Sequence, residues 1–480
     1  MSDRRAPEIL RCRVAVVGSG PGGAITACLL AEAGRDVLLL EEGAAHPVDA
    51  HRPYSLAEME AKYRNGGLTV TLGRPQVTYV EGRTLGGGSE VNSGLYHRTP
   101  PEVLAVWRND WRVEGLGDAE LEPHFAACEA AVSVSPDPGP PPATALKLRQ
   151  GAQALGWASV AVPRWYRHGP DAPPGGERRS MSATFLPRAR AAGCRVLAGC
   201  RVLRLRREAG RWRLLARRAD GASVEAIAET VFVAGGAVQT PALLRRSGIR
   251  RHVGDTLSLH PTVKVVAAFP EAVNGPGMGV PAEQVKEFAP RFSFGCSISN
   301  PSALALALAD HGPAATARVG AEWPHLAVYY AMTSGRPAGR VRPLPGLADP
   351  LVRYPVGPVE LADLGEGLRR LCELLLAAGA GALYPSLRGG PAVLDADSLR
   401  ALPAALPRQR ASLMTVHLFA SCPMGEDERR CATDSFGRVH GADGLHVADA
   451  SLMCSAPGVN PQGTVMALAH RNALRYLERG

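Results

Sequence analysis

Lysine is nearly missing from this chain of 480 residues. Of its 54 lysines and arginines only Lys62, Lys147, Lys264 and Lys286 are lysine, and the arginines are scattered rather than gathered into a stripe. The net charge of +9 therefore does not point to a nucleic-acid partner, because phosphate binding needs cations along one face. The densest stretch, Arg201 to Arg218, alternates Leu203 and Leu205 with Arg204 and Arg206, the spacing of a solvated hairpin face. Aromatics are only 5% of the chain, too few to suggest a base-stacking surface. No apolar run approaches the roughly 20 residues that span a bilayer, so no membrane insertion is expected. The ten cysteines include no CxxC and no cluster with histidine at metal-ligand spacing, so no metal site is expected. Free buried thiols are the default; Cys422 and Cys431 are close in sequence but are expected unpaired. The first residues enter a strand with no charged-then-apolar leader and no cleavage site, and a cytoplasmic location is expected.

What is present begins at residue 12. A short β-branched run, 12–17, leads into Gly18-Ser19-Gly20-Pro21-Gly22-Gly23 and then a helical pattern that Gly34 stops. A second strand, Val37 to Leu40, ends in Glu41-Glu42-Gly43. Gly18-x-Gly20-x-x-Gly23 between a strand and a helix is the pattern of a dinucleotide site. Gly18 permits the tight turn, Gly20 lets backbone approach a pyrophosphate, and Gly23 lets helix and strand pack closely. The helix N-terminus offers N–H groups and a positive dipole end to the phosphates. Glu41, about 20 residues on, is set to accept from the adenosine ribose, with Glu42 as the alternative.

A second glycine run, Gly86-Gly87-Gly88-Ser89, suits a long buried cofactor such as FAD better than a nicotinamide dinucleotide, although it would equally serve as a structural turn. Helical sequence follows over 100–134, then a Pro-rich linker at 135–143 and a strand pair at 195–218. A strand at 230–234 runs into another helix, and an amphipathic helix spans 360–378. The pieces dense in motifs are separated by weaker sequence. An α/β fold is expected, with a Rossmann-like cofactor domain assembled from 1–100, 195–250 and 410–480. An α+β substrate domain, an antiparallel sheet plus helices, would take 101–194 and 251–409.

Four segments carry a resemblance. VAVVGSGPGGAITACLLAEAGRDVLLLEEG, GRTLGGGSEVNSGLYHR, FVAGGAVQTPALLRRSGI and the stretch from HLFASCPMGED to GVNPQGTVMALAHRNA resemble, in order and position, the glucose–methanol–choline (GMC) oxidoreductases. The ending Asn-Ser-Gly-x-x-x-Arg and the AAGA at 377–380 most resemble the branch with long-chain alcohol and sugar dehydrogenases. The resemblance implies FAD as cofactor, with Gly18, Gly20, Gly23 and Glu41 on its ADP half and Val202 beside the adenine. Gly86, Ser89 and Asn92 would lie along the flavin, Asp449 and Ala450 at the pyrophosphate and ribityl. Asn460-Pro461-Gln462 would open the last helix beneath the ring, where a helix N-terminus stabilises the anionic reduced form. In members that attach FAD covalently through this loop a histidine precedes the asparagine matched by Asn92. Here the position is Val91, so a non-covalent flavin is expected.

The same resemblance puts the catalytic pair at His417 and Asn460. Alcohol oxidation needs a base near neutral pKa, which histidine supplies, and a second polar group to hold the developing alkoxide. Thirteen histidines occur, and most must be structural. His97, His260, His440 and His446 lie in motif regions and are read as such, His260 as a packing residue near the domain join. LFASCPMG departs from relatives, which carry Gly-Thr or Gly-Gly before the cysteine. The expected activity is FAD-dependent oxidation of an alcohol to aldehyde or ketone, with O2 or another acceptor. With few aromatics, a polar alcohol such as a sugar, aminosugar or nucleoside is expected ahead of a long-chain or cyclic one. A non-redox lyase or a silent flavin-binding protein on this scaffold are the competing classes.

Overall fold

A computed structural model describes residues 6–47, 50–173 and 175–479. Two sheets organise the chain, and the α/β architecture expected of the sequence is the one it adopts. In the first, the lateral order is Cys200–Glu208, Arg211–Arg218, Ser223–Val233, Glu8–Val17, Val37–Leu40 and Arg195–Leu197. Leu445–Val447 is a seventh strand, paired parallel to Ser223–Val233. The central strands are parallel, while Cys200–Glu208 and Arg211–Arg218 form the antiparallel hairpin read from the alternating arginines.

Alternation along these strands decides what they bury. Ala15, Val17, Leu38 and Leu40 enter one core; Val14, Val16, Val37 and Leu39 enter the core on the opposite face. A strand covered on both faces has no polar positions to spare, which is why these segments read as continuous apolar runs. Each fully buried Leu or Val contributes about 1.5–3 kcal/mol relative to exposure. Helix Pro21–Glu32 packs Ala24, Ile25 and Cys28 against Met466 and Ala469 of the last helix, Gln462–Arg479. The opening strand begins at Glu8, ahead of the apolar run, because Glu8 to Cys12 pair with Val224 to Ala228 of its long neighbour.

The second sheet has nine strands. Thr69–Val70, Val77–Tyr79, Leu413–Thr415, Thr262–Ala268, Leu326–Thr333, Phe292–Cys296, Glu283–Val285 and Ser159–Ala161 follow in lateral order, and Ala382–Pro385 also pairs with Thr262–Ala268. It is antiparallel except where Leu413–Thr415 runs beside Val77–Tyr79. Helix Pro358–Ala377 lays Leu361, Leu364, Leu368 and Leu371 over Val263, Val265 and Ala331 on one face. Over the other face, Leu304 and Leu308 of helix Pro301–Leu308 cover Val266 and Val328. The stretches 1–100 and 410–480 thus feed strands to both sheets. All ten cysteines are free, Cys422 and Cys431 included. Among the described residues no helix is long and apolar enough to cross a membrane.

Candidate active site

The loop after the first strand is closed by backbone on every side but one. Gly18 has φ +101°, and a Cβ there would lie 2.3 Å from the Ala234 carbonyl oxygen. A Cβ on Gly22 would lie 1.7 Å from the Ala448 oxygen, and one on Gly23 would lie 2.0 Å from the Gly18 oxygen. At Gly20 the nearest atom would be the Cα of Gly87, 4.0 Å away. So Gly18, Gly22 and Gly23 let three strand ends meet, whereas Gly20 leaves its side open. Gly22 was not singled out in the sequence, though the GPGG run contained it. The first-turn N–H groups of helix Pro21–Glu32 have no acceptor within the helix and remain available to an anion.

Glu41 stands at the tip of the second strand, buried. Ser19 donates to its Oε2 from backbone N–H (2.9 Å) and from Oγ (2.6 Å), and Gly43 N–H donates to Oε1 at 2.7 Å. Burial raises the Glu41 pKa, and these three donors work against the rise. Glu42, the alternative ribose ligand, is instead committed to Arg64, with Arg64 Nη2 2.8 Å from its Oε2. Strand Cys200–Glu208 starts beside Glu41, since Cys200 N–H donates to the Glu41 carbonyl at 2.8 Å, and Val202 follows two residues later, buried.

The second glycine run presses onto the first. Gly86 and Gly87 have φ +94° and +56°, and a Cβ on Gly87 would sit 2.7 Å from the Gly20 Cα. Gly86 N–H donates to Ser19 Oγ (2.9 Å), while Ser89 Oγ donates to the Gly86 oxygen and accepts from Met181 N–H. Asn92 donates to Gln462 Oε1 at 2.6 Å, joining this loop to the start of the last helix. The Asp449 carboxylate is consumed by protein groups: Gly236 N–H, Thr240 Oγ and both donors of Ser451. What Asp449 presents to the loop is backbone, its Cα lying with the Ala448 carbonyl against Gly22, and Ala450 follows as the next residue.

His417 and Asn460 both lie close to His97. Asn460 Oδ1 accepts from Gln284 Nε2 at 3.3 Å, and Gln284 Nε2 also donates to the Tyr330 hydroxyl at 2.9 Å. His97, read from sequence as structural, lies beside Gln284 and Asn460 and close to His417, with its Nδ1 buried and unpartnered among the described residues. His260, read as a packing residue, is fully buried with its Nδ1 3.0 Å from Nδ1 of His417. Gly458 N–H donates to His260 Nε2 at 3.1 Å. Neutral His260 therefore carries its proton on Nδ1 and donates it to His417, leaving the His417 proton on Nε2. Phe419 packs on His260, with ring centroids 4.8 Å apart.

Comparison with known proteins bears on this arrangement. Two family models described as GMC oxidoreductase match residues 59–262 and 338–469, and one described as an NAD(P)-binding Rossmann-like domain matches 16–47. An uncharacterized GMC-type oxidoreductase, y4nJ of Sinorhizobium fredii (strain NBRC 101917 / NGR234), is 39% identical over 97% of this chain and 94% of its own. The chain belongs to the GMC oxidoreductase family. Long-chain-alcohol oxidase FAO3 of Arabidopsis thaliana is 27% identical over 96% of this GMC oxidoreductase and 67% of its own length. Among solved structures, pyridoxine 4-oxidase from Mesorbium loti superposes with TM-score 0.72 at 21% identity, covering 97% of this chain and 99% of that one. A formate oxidase of Aspergillus oryzae RIB40 gives TM-score 0.76 at 16% identity, covering 99% of each chain.

FAD is the cofactor of this GMC oxidoreductase, and the cradle fits it: a glycine loop open at Gly20, free helix N–H groups, and a second glycine loop laid along the first. At the far end of that path the imidazoles are all neutral near pH 7. Burial brings the His417 pKa down to about 4 and that of His97 to about 3, and holds His260 well below the usual range, the last two further lowered by His417. In the unfolded chain these groups take up protons near pH 6.5, while the fold does not take them up until much lower pH. Their stabilisation is therefore complete above pH 6.5 and is lost progressively as pH falls from there toward the folded values. Between pH 6.5 and 5, where most carboxylates stay ionised and Glu81, raised by burial to about 7, works in the opposite direction, Tm is expected to fall by ~5 °C. Thermal unfolding across that window checks this, and a His97→Gln/His260→Asn variant should flatten the slope; an equal slope in both would show that other groups carry it.

Proposed function

We propose that this enzyme oxidises a polar alcohol to the aldehyde or ketone, His417 taking the hydroxyl proton and Asn460 holding the alcohol oxygen, with O2 or another acceptor receiving the electrons. The observation that carries the reading is the gathering of His417, Asn460, His97 and His260 from four distant stretches of chain around one polar centre. Bound FAD supplies the hydride acceptor. The remaining work falls to side chains. Gly18, Gly20, Gly23, Glu41 and Val202 serve the ADP half. Gly86, Ser89, Asn92, Ala450, Pro461 and Gln462 serve the rest, and Val91 beside Asn92 supports a flavin held non-covalently. The proposed division into a cofactor domain (1–100, 195–250, 410–480) and a substrate domain (101–194, 251–409) follows these cofactor residues, with the strands at 69–70, 77–79 and 413–415 crossing into the second sheet, and ten free thiols accord with a cytoplasmic setting.

The histidine pair gives the proton a defined route. With its proton on Nε2, His417 donates to the alcohol oxygen. To accept, it must exchange tautomer, donating from Nδ1 to His260, which then carries its own proton on Nε2 and gives up the bond from Gly458. An alcohol O–H directed at Nε2 offsets that loss, since each bond is worth about 1 kcal/mol. A polar substrate is supported by the face of the second sheet next to Asn460, where Gln284, Tyr330, Thr262 and Ser293 supply amide and hydroxyl groups.

Anaerobic titration with a panel of polar and apolar alcohols tests the reading. Bleaching of the oxidised flavin by a polar alcohol, faster than by a long-chain or cyclic one, is the expected result. Preference for a long-chain alcohol would overturn the substrate class, and a flavin bleached by no alcohol would overturn the activity.

A further inference from the structure

The four lysines divide into two kinds. Lys62 is ion-paired with Glu58 and Lys147 with Glu271, whereas Lys264 and Lys286 form no ion pair among the described residues. Both unpaired lysines lie in the second sheet. Lys264 is directly opposite Tyr330, Tyr330 opposite Gly295, and Gly295 opposite Gln284. Residues paired this way across a sheet point to the same face. That face is not the one covered by helix Pro358–Ala377, which takes the alternate residues Val263, Val265, Tyr329 and Phe294. It is the face from which Gln284 reaches Asn460. Lys286 is two residues beyond Gln284, and continuing the register of Val285 with Phe294 sets it opposite Ser293, itself paired with Met332. Lys286 is near enough to His97 to disfavour its protonation.

The floor of the substrate side is thus a patch of Tyr330, Ser293, Thr262 and Met332 with a lysine at two diagonal corners and no carboxylate among these positions. Gly295 leaves room for the Tyr330 ring, whose hydroxyl would be 2.4 Å from a Cβ there. Of the nearby acids, Glu283 points to the opposite face, where Arg149 holds it at 2.8 Å, and Glu287, next to Lys286, accepts from Ala158 N–H at 3.4 Å. Burial lowers the pKa of both lysines to about 8, so both remain largely protonated at neutral pH. A half-buried ammonium with no counter-ion is a cost to the fold that an anionic ligand would relieve.

Resting on the alcohol-oxidation reading, we propose that the substrate is an alcohol bearing an anionic group, which Lys286 binds beside the catalytic centre while Lys264 extends the positive potential across the floor. The neighbouring Gln284 and Asn460 then fix the hydroxyl end, and the acid end sets the orientation of the C–H bond.

The test compares matched alcohols on the FAD-loaded enzyme: hydroxy acids of increasing chain length, their methyl esters, and phosphate monoesters of the corresponding diols. Acids or phosphates are expected to reduce the flavin with at least ~10-fold higher kcat/KM than the neutral esters, the difference residing in KM. Which of the two anions is preferred separates a carboxylate substrate from a phosphate one. In Lys286→Met the preference for charge should collapse, Lys286→Arg should restore much of it, and Lys264→Met should weaken it most for the longest chains. Calorimetric titration with unreactive carboxylates and inorganic phosphate reads the site without turnover, the wild type binding and Lys286→Met not. Esters as good as acids, or anion binding equal in wild type and variant, would overturn the proposal. Anion binding that depends on Lys286 in a protein whose flavin no alcohol bleaches would instead overturn the alcohol reading and leave the anion site standing.

Discussion

Replacing His417 by alanine should lower the rate of anaerobic flavin reduction by the best alcohol about 10³-fold, within the range that a positioned base contributes, while the protein stays yellow. The cofactor loops make no bond to His417, whose backbone N–H is held by Thr415 Oγ and whose ring meets His260. The loss is therefore one of chemistry and not of FAD. His260→Ala should cost ~10–100-fold, because His417 then lacks the partner that receives its Nδ1 proton when Nε2 must accept. The double variant should be no slower than His417→Ala alone, as expected of residues acting as one unit. Stopped-flow measurement of the four proteins closes the cycle. A His417→Ala enzyme within threefold of wild type would remove His417 from the proton step; additive losses would mean His260 contributes through packing alone.

How much of this was legible in the sequence depends on distance along the chain. The opening strand, helix and strand could be read because the glycines, the apolar runs and Glu41 lie within 30 residues and each constrains the next. Gly22 went unremarked because the dinucleotide pattern asks only for residues 18, 20 and 23; its need arises from the Ala448 carbonyl, more than 400 residues away. His260 and His97 carry no such signal, since nothing in LSLHPT or LYHRT fixes a spacing to His417 or Asn460. Only the pairing of Ser258–Leu259 with Leu418–Phe419 brings His260 to its partner. The departure at LFASCPMG has a physical counterpart. Ala420 adopts φ +60°, the left-handed region that favours glycine, at a cost of about 1–2 kcal/mol. Thr256 Oγ, donating to its carbonyl at 2.6 Å, and its own N–H on the Ala450 oxygen hold it there. The short strands at 69–79 were invisible because two- and three-residue segments have no period to detect.

The glycine loop allows a sharper test of what each glycine is for. Gly22→Ala should yield little folded protein and no retained flavin. Its Cβ would lie 1.7 Å from the Ala448 oxygen, and that carbonyl is fixed: Ala448 N–H donates to Val233 at 2.8 Å, and the strand just before it pairs with Ser223–Val233. Overpacking against backbone that cannot retreat costs more than the 1–3 kcal/mol typical of a crowded core. Gly20→Ala is the contrasting case. Gly20 has φ −61° and ψ −178°, open to any residue, and the nearest atom to its Cβ is 4.0 Å away. The apoprotein should therefore fold, with Tm within about 2 °C of wild type, while FAD affinity falls ~10–100-fold because the methyl occupies the side from which a pyrophosphate approaches. Apoprotein melting and FAD titration of both variants separate the two roles. Full FAD affinity in Gly20→Ala would move the phosphates elsewhere, whereas normal folding of Gly22→Ala would mean that Ala448 and its strand are looser than their hydrogen bonds require.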